Sequence, residues 1–180
     1  MEEHDDLSLV RRSLSGDHKA FEEIIDRYQK PLYNVALRMV GDLDDAADLT
    51  QTVFIKAFEK LNSYKERYKF FSWLYRIAVN TAINFLEQQK RMELLGDRDV
   101  AEEPEVDEIL ATSDRNQMLG NALLQLRPDY RIIILLKHFH ELSYEEIGFV
   151  LEIPEKTVKS RLFAARGMLR EILARTGLME

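Results

Sequence analysis

The sequence predicts an all-α protein of two small helical domains, residues 1–92 and 116–180, joined by an acidic linker over 93–115. Three observations predict it. Apolar residues recur at helical spacing, and no segment sustains the two-residue alternation of a strand. The pattern lapses between Glu93 and Asp114, where nine acids face one base, Arg98, among Gly96, Pro104 and scattered Leu, Val and Ile. Such a composition buries too little apolar surface to offset the entropy of ordering it. Finally, residues 142–166 read as a short helix, a tight turn and a second helix.

The charge is unevenly placed. The chain carries −7 over its 180 residues, but the Glu93–Asp114 segment alone carries −8, leaving +1 for the rest. Net acidity is therefore a weak argument against a nucleic-acid partner. The chain has no cysteine, which excludes disulfides and thiolate metal sites and fits a cytoplasmic address. The acidic start M-E-E-H-D-D is not expected to be a signal peptide. The aliphatic run Ile132–Leu136 is too short to span a bilayer, so no membrane contact of its own is expected.

Residues 5–15 form a short helical pattern ending near Gly16. Asp17 can cap the next helix, which carries Phe21, Ile24, Ile25 and Tyr28 on one face. Pro31 is expected to interrupt it, and Leu32, Val35, Ala36, Met39 and Val40 resume a helical face until Gly41. Asp42 or Asp44 starts a helix with Ala46, Leu49, Val53, Phe54, Ala57, Phe58 and Leu61 inward, broken at Asn62-Ser63. A fourth helix begins near Phe70 and runs to about Lys90. Beyond the linker, residues 116–126 are helical and Pro128 opens a helix through His140.

In the last stretch, Ser143 followed by Glu146 is a capping box, and Leu151-Glu152-Ile153 makes the turn. Pro154 is expected in the first turn of the second helix, where its missing N–H costs nothing. Val158, Leu162, Ala165 and Leu169 fall on its inward side, and Lys156, Lys159, Ser160 and Phe163 on the other. Residues 154–175 hold six Lys or Arg against two Glu. A cationic, hydroxyl-bearing and aromatic outward face suits a helix entering a major groove; a solvated helix in a bundle is the plainer reading.

A second constellation is Y-K-E-R-Y-K-F-F-S-W-L-Y-R at 64–76, in which Tyr64, Tyr68, Phe70, Phe71, Trp73 and Tyr75 interleave with Lys65, Arg67, Lys69 and Arg76. Cations that follow a backbone and aromatics that stack on unpaired bases are what single-stranded nucleic acid requires. The competing reading is that Phe71 and Trp73 simply join Leu74, Ile77 and Phe85 in a core. Arg76, Asn80 and Asn84, four apart, form a polar stripe on the following helix.

The segments D-D-A-A-D-L-T-Q-T-V-F-I-K-A-F (44–58), F-S-W-L-Y-R-I-A-V-N-T-A-I-N-F-L (71–86) and 142–166 together resemble bacterial extracytoplasmic-function (ECF, group 4) sigma factors. The resemblance covers both domains in order. It implies a region 2 helical bundle, a region 4 helix-turn-helix, and the role of an initiation subunit of core RNA polymerase that acts on duplex and single-stranded promoter DNA. It also implies an anti-sigma partner. Polymerase docking is implied for Asp45, Asp48 and Gln51. The residues implied at the melted −10 element are Tyr64, Phe70, Trp73, Arg76, Asn80, Thr81 and Asn84, with Tyr64, Phe70, Asn80 and Thr81 nearest a flipped base. Those implied at the −35 duplex are Lys156, Thr157, Lys159, Ser160, Arg161, Phe163 and Arg166. The chain departs from the family's commoner pattern in the glycine-free loop S-Y-K-E-R-Y-K, in a thin basic tail at Gln88–Arg91, and at Arg127 before Pro128.

No cofactor, metal or catalytic set is expected. An EF-hand counted from Asp42 places Ala47 where Gly is needed and Val53 where the bidentate Glu belongs. His138 and His140, two apart on a helix, point nearly opposite ways. Two other functions compete: an autonomous helix-turn-helix regulator with a sensing domain, and a helical adaptor. The first does not need the aromatic-basic stretch, and the second leaves the 156/159/160/163 face unexplained.

Overall fold

The computed structural model describes residues 2–95 and 114–175; most of the expected linker lies outside these residues. Among the described residues there are eight α-helices and no strand. They are α1 (Glu2–Leu14), α2 (His18–Val40), α3 (Leu43–Lys60), α4 (Phe70–Leu94), α5 (Asp114–Leu124), α6 (Pro128–His138), α7 (Tyr144–Leu151) and α8 (Glu155–Arg175), with a 3-10 turn at Leu61–Ser63.

The helix starts follow from their caps. The Asp17 carboxylate accepts from the Lys19 amide, and that of Asp42 from the Asp45 amide at 2.8 Å, so Asp42 rather than Asp44 opens α3. Gly41 closes α2 at φ 81°, where its N–H reaches the Leu37 carbonyl, a left-handed position that costs glycine nothing. The expectation that Pro31 divides α2 is not met, because the helix runs unbroken through it. Proline removes one donor there, but Ile24, Leu32 and Val35, buried on either side, keep both halves on the same core. Phe58, expected inside, is 47% exposed; it lies edge-on to Phe21 at 5.0 Å, at the margin of the core. Helix α4 passes Lys90 and ends at Leu94.

Helices α1, α3 and α4 pack around α2, while α6 and α8 pack together with α5 and α7 against them. Arg27 on α2 pairs with Asp5 and Asp6 of α1, and the Tyr28 hydroxyl donates to Asp6 at 2.5 Å. The two halves also touch each other: α4 lies against α7, and α2 against α5 and α6. At the second junction the buried Arg131 guanidinium donates to the carbonyls of Leu123, Leu124 and Leu126 and, across the junction, of Met39.

Candidate nucleic-acid interface

The loop before α4 is organised by Tyr64. Its hydroxyl donates to the Tyr68 carbonyl at 2.6 Å, and its ring meets Phe70 edge-on at 5.4 Å and Trp73 at 5.6 Å. Phe70 is 2% exposed and turned toward Tyr28. The aromatic-rich stretch thus divides: Phe70 and Tyr75 are core, Tyr64 braces the loop, and Tyr68 and Trp73 are left to line a surface cavity.

That cavity has a volume of about 840 Å³. Trp73, Arg76, Asn80, Thr81 and Asn84 of α4 line one side, successive turns of one helix presenting the polar stripe expected from sequence. Tyr64 and Phe70 are not brought to the lining. Two further contributions come from elsewhere in the chain. Lys56 and Lys60 of α3 reach the cavity, and the Lys56 ammonium donates to the Thr81 hydroxyl at 3.2 Å. From the other half, Phe149 and Glu152 of the α7 end close one wall. Four cations (Lys56, Lys60, Lys65, Arg76) and three aromatics (Tyr68, Trp73, Phe149) line it with one acid, Glu152, so the site favours an anionic ligand with flat, stackable groups.

The helix-turn-helix is set by its caps. Ser143 and Glu146 form the reciprocal box, with the Glu146 amide donating to the Ser143 hydroxyl at 3.1 Å and the Ser143 amide to the Glu146 carboxylate at 2.8 Å. Burial opposes ionisation of Glu146, but the Ser143 bonds and the Lys69 ammonium outweigh it and hold the carboxyl below its ordinary value. Glu152 ends α7 at φ 56°. A Cβ on Gly148 would stand 2.9 Å from the Ile153 carbonyl, so the turn can fold back closely only over glycine. Pro154 lies just ahead of α8 rather than within it, its carbonyl accepting from the Thr157 and Val158 amides.

On α8, Val158, Leu162 and Ala165 are buried, and Lys156, Lys159, Ser160 and Phe163 are exposed together. Phe163 is 82% exposed, on the same outward face as Lys156, Lys159 and Ser160. Thr157 and Arg161 flank this face half-buried. Lys159 pairs with Glu155 at 2.7 Å. Arg166, two turns on from Lys159, donates to His138 Nε2 at 3.2 Å; burial first, then Arg166 and Lys137, lower the His138 pKa. His140 turns instead to the Tyr75 hydroxyl, so the two histidines serve different partners.

A third surface lies on α3, where Asp48 and Gln51 are exposed, Asp45 is half-buried, and Ile55 follows on the same side, 59% exposed.

Comparison with known proteins matches this arrangement. Sigma-70 region 2 corresponds to residues 24–92 and Sigma-70, region 4 to residues 116–169. The ECF RNA polymerase sigma-E factor of Escherichia coli (strain K12) is 35% identical over 173 residues, covering 89% of this chain and 90% of its own. The chain belongs to the ECF RNA polymerase sigma factors. The SigW sigma factor of Bacillus subtilis (strain 168) is 31% identical over 176 residues, covering 91% of this chain and 94% of that one. Among solved structures, the sigma factor RpoE of Bartonella quintana, in complex with the anti-sigma factor NepR, superposes with a TM-score of 0.72. It is 26% identical and covers 87% of this chain and 98% of its own.

This ECF sigma factor is therefore all-α, with a region 2 bundle and a region 4 helix-turn-helix. Lys56 and Lys60 escaped the sequence reading although their four-residue spacing puts them on one face. Their direction depended on which face α3 gives to α4. Phe149 and Glu152 carried no signal at all, since they reach the cavity only through the docking of region 4 on region 2.

Proposed function

We propose that this ECF sigma factor brings core RNA polymerase to its promoters by dividing the reading of DNA between two surfaces. Residues 1–92 dock on polymerase and hold the melted −10 strand, residues 116–180 read the −35 duplex, and residues 93–115 connect them. The observation that carries this is the α4 cavity. A duplex-reading regulator has no need of an aromatic wall among four cations, whereas an unpaired strand needs both. Trp73 and Tyr68 offer rings to bases, Arg76 and the three lysines attract phosphates, and Asn80, Thr81 and Asn84 present polar groups to base edges. Tyr64 and Phe70 act by fixing the loop and the Trp73 ring.

On α8, Lys156, Lys159, Ser160 and Phe163 enter the major groove, with Thr157, Arg161 and Arg166 beside them toward the backbone. Asp45, Asp48 and Gln51 meet polymerase through a polar face that continues into the exposed, apolar Ile55. The factor works in the cytoplasm without cofactor, metal or catalysis of its own. By analogy with RpoE, solved with NepR, an anti-sigma factor silences it.

The test is promoter melting followed by permanganate. Thymines near the start should become reactive only when core polymerase and this protein are both present. A footprint from the protein alone, without melting, would favour an autonomous regulator instead.

A further inference from the structure

Helix α7 meets the strand-binding surface with an ordered set of groups. The Phe149 ring stacks on Tyr68, with centroids 3.8 Å apart and planes 17° from parallel. The Arg76 guanidinium also lies over the Phe149 ring, 5.2 Å from its centroid. On either side of Phe149, three residues away in each direction, stands a carboxylate. Glu146 pairs with Lys69 at 2.9 Å, and Glu152 pairs with Arg76. An aromatic face stacked on tyrosine, flanked by two anions on cations, has the recognition pattern of a base between phosphates.

We propose that α7 is an internal nucleic-acid mimic: in the free factor Phe149 holds the place of an unpaired base, Glu146 and Glu152 hold those of phosphates, and melted single-stranded DNA displaces them. The inference rests on the reading of the α4 cavity as the strand site. The junction is built to open. Its ion pairs are partly exposed, with Lys69 46% and Glu152 54% open to solvent, so each is weak and screened by salt. The Ser72 hydroxyl is buried on this side of α4 with no protein partner among the described residues, a cost that ends when α7 departs. Rotation of region 4 about the α2–α6 contact lifts α7 away without unfolding either half. Competition of this kind keeps the factor from binding stray single strands until polymerase supplies the strand and holds region 4 elsewhere.

The experiment uses the full chain and a fluorescein-labelled single-stranded oligonucleotide. Because the chain has no cysteine, Lys30→Cys and Glu171→Cys, both at exposed positions, add a dye pair reporting the separation of the halves. Phe149→Ala removes the ring, and Glu152→Gln keeps shape while removing charge, so one remains informative if the other folds poorly. Both should bind the strand about five- to ten-fold more tightly than the parent, and the strand should lower dye transfer in the parent. Equal affinity in all three, weakened by Asn80→Ala, would leave the strand site standing and overturn the mimic. No strand binding by any of them, with permanganate reactivity intact in the presence of polymerase, would overturn it as well and spare the sigma reading. Loss of permanganate reactivity would instead sink the strand site itself.

Discussion

The Tyr75 hydroxyl and His140 Nδ1 stand 2.9 Å apart across the junction of regions 2 and 4. Burial, and secondarily the charge of Arg38, lower the His140 pKa to about 4, and burial raises that of Tyr75. The docked state therefore holds His140 neutral. A depressed histidine pKa means its contribution is intact above the ordinary value near 6.5 and fades as pH falls toward 4. The loss is bounded at about 3 kcal/mol for a shift of this size. Acidification from pH 7 to 5 should thus lower the melting temperature or separate the halves, read by scattering. His140→Gln should flatten that dependence; an unchanged slope would show that His140 does not couple docking to protons.

Arg131 has no carboxylate partner among the described residues. Its donors go to carbonyls at the end of α5 and to Met39, and burial lowers its pKa only to about 10, so it stays charged at neutral pH. Arg131→Ala should cost about 3 kcal/mol by orphaning several buried acceptors, measured by urea unfolding. Arg131→Lys should rescue little, because a single ammonium cannot reproduce the spread of the fork.

How far these features were legible from sequence depends on what sets them. Local chemistry was readable: Asp17, Gly41 and the Ser143–Glu146 box fix their helix ends with groups within four residues. Choices made by partners were not. Phe70 and Trp73 lie three apart on one helix and look alike as aromatic neighbours of cations, yet Tyr28 and Tyr64 enclose Phe70 while Trp73 reaches the cavity. The exposure of Phe163 follows from the clean inward stripe of α8, whereas Phe58 sits at the edge of the α3 stripe, where helical spacing alone does not fix burial. Pro31 marks the limit of breaker rules: tertiary burial on both sides overrides one lost hydrogen bond.

On α3, Ile55 is apolar, 59% exposed, and follows Asp48 and Gln51. In the proposed docking to polymerase, an exposed apolar side chain that becomes buried contributes disproportionately to binding. Ile55→Lys should weaken association with core RNA polymerase by about 2 kcal/mol, roughly thirty-fold, with the fold unaffected. Titration of dye-labelled factor with core enzyme measures it; unchanged affinity would move the docking surface off this face.

The exposed face of α8 can be separated from general affinity. Phe163 contributes nothing visible to the core, so Phe163→Ala should alter stability by no more than about 0.5 kcal/mol. With polymerase, it and Lys159→Ala should differ in kind. Lys159, a point charge already paired with Glu155, should lower promoter affinity for every −35 sequence and reduce the salt dependence by about one ion. Phe163 can distinguish bases through apolar contact, as with a thymine methyl, so its loss should relax preference at one −35 position by about 1–2 kcal/mol. Binding of the polymerase complex to a set of single-position −35 variants at two salt concentrations separates these outcomes. If both substitutions flatten the same position, Lys159 reads a base as well; if neither changes any, α8 does not face the −35 duplex.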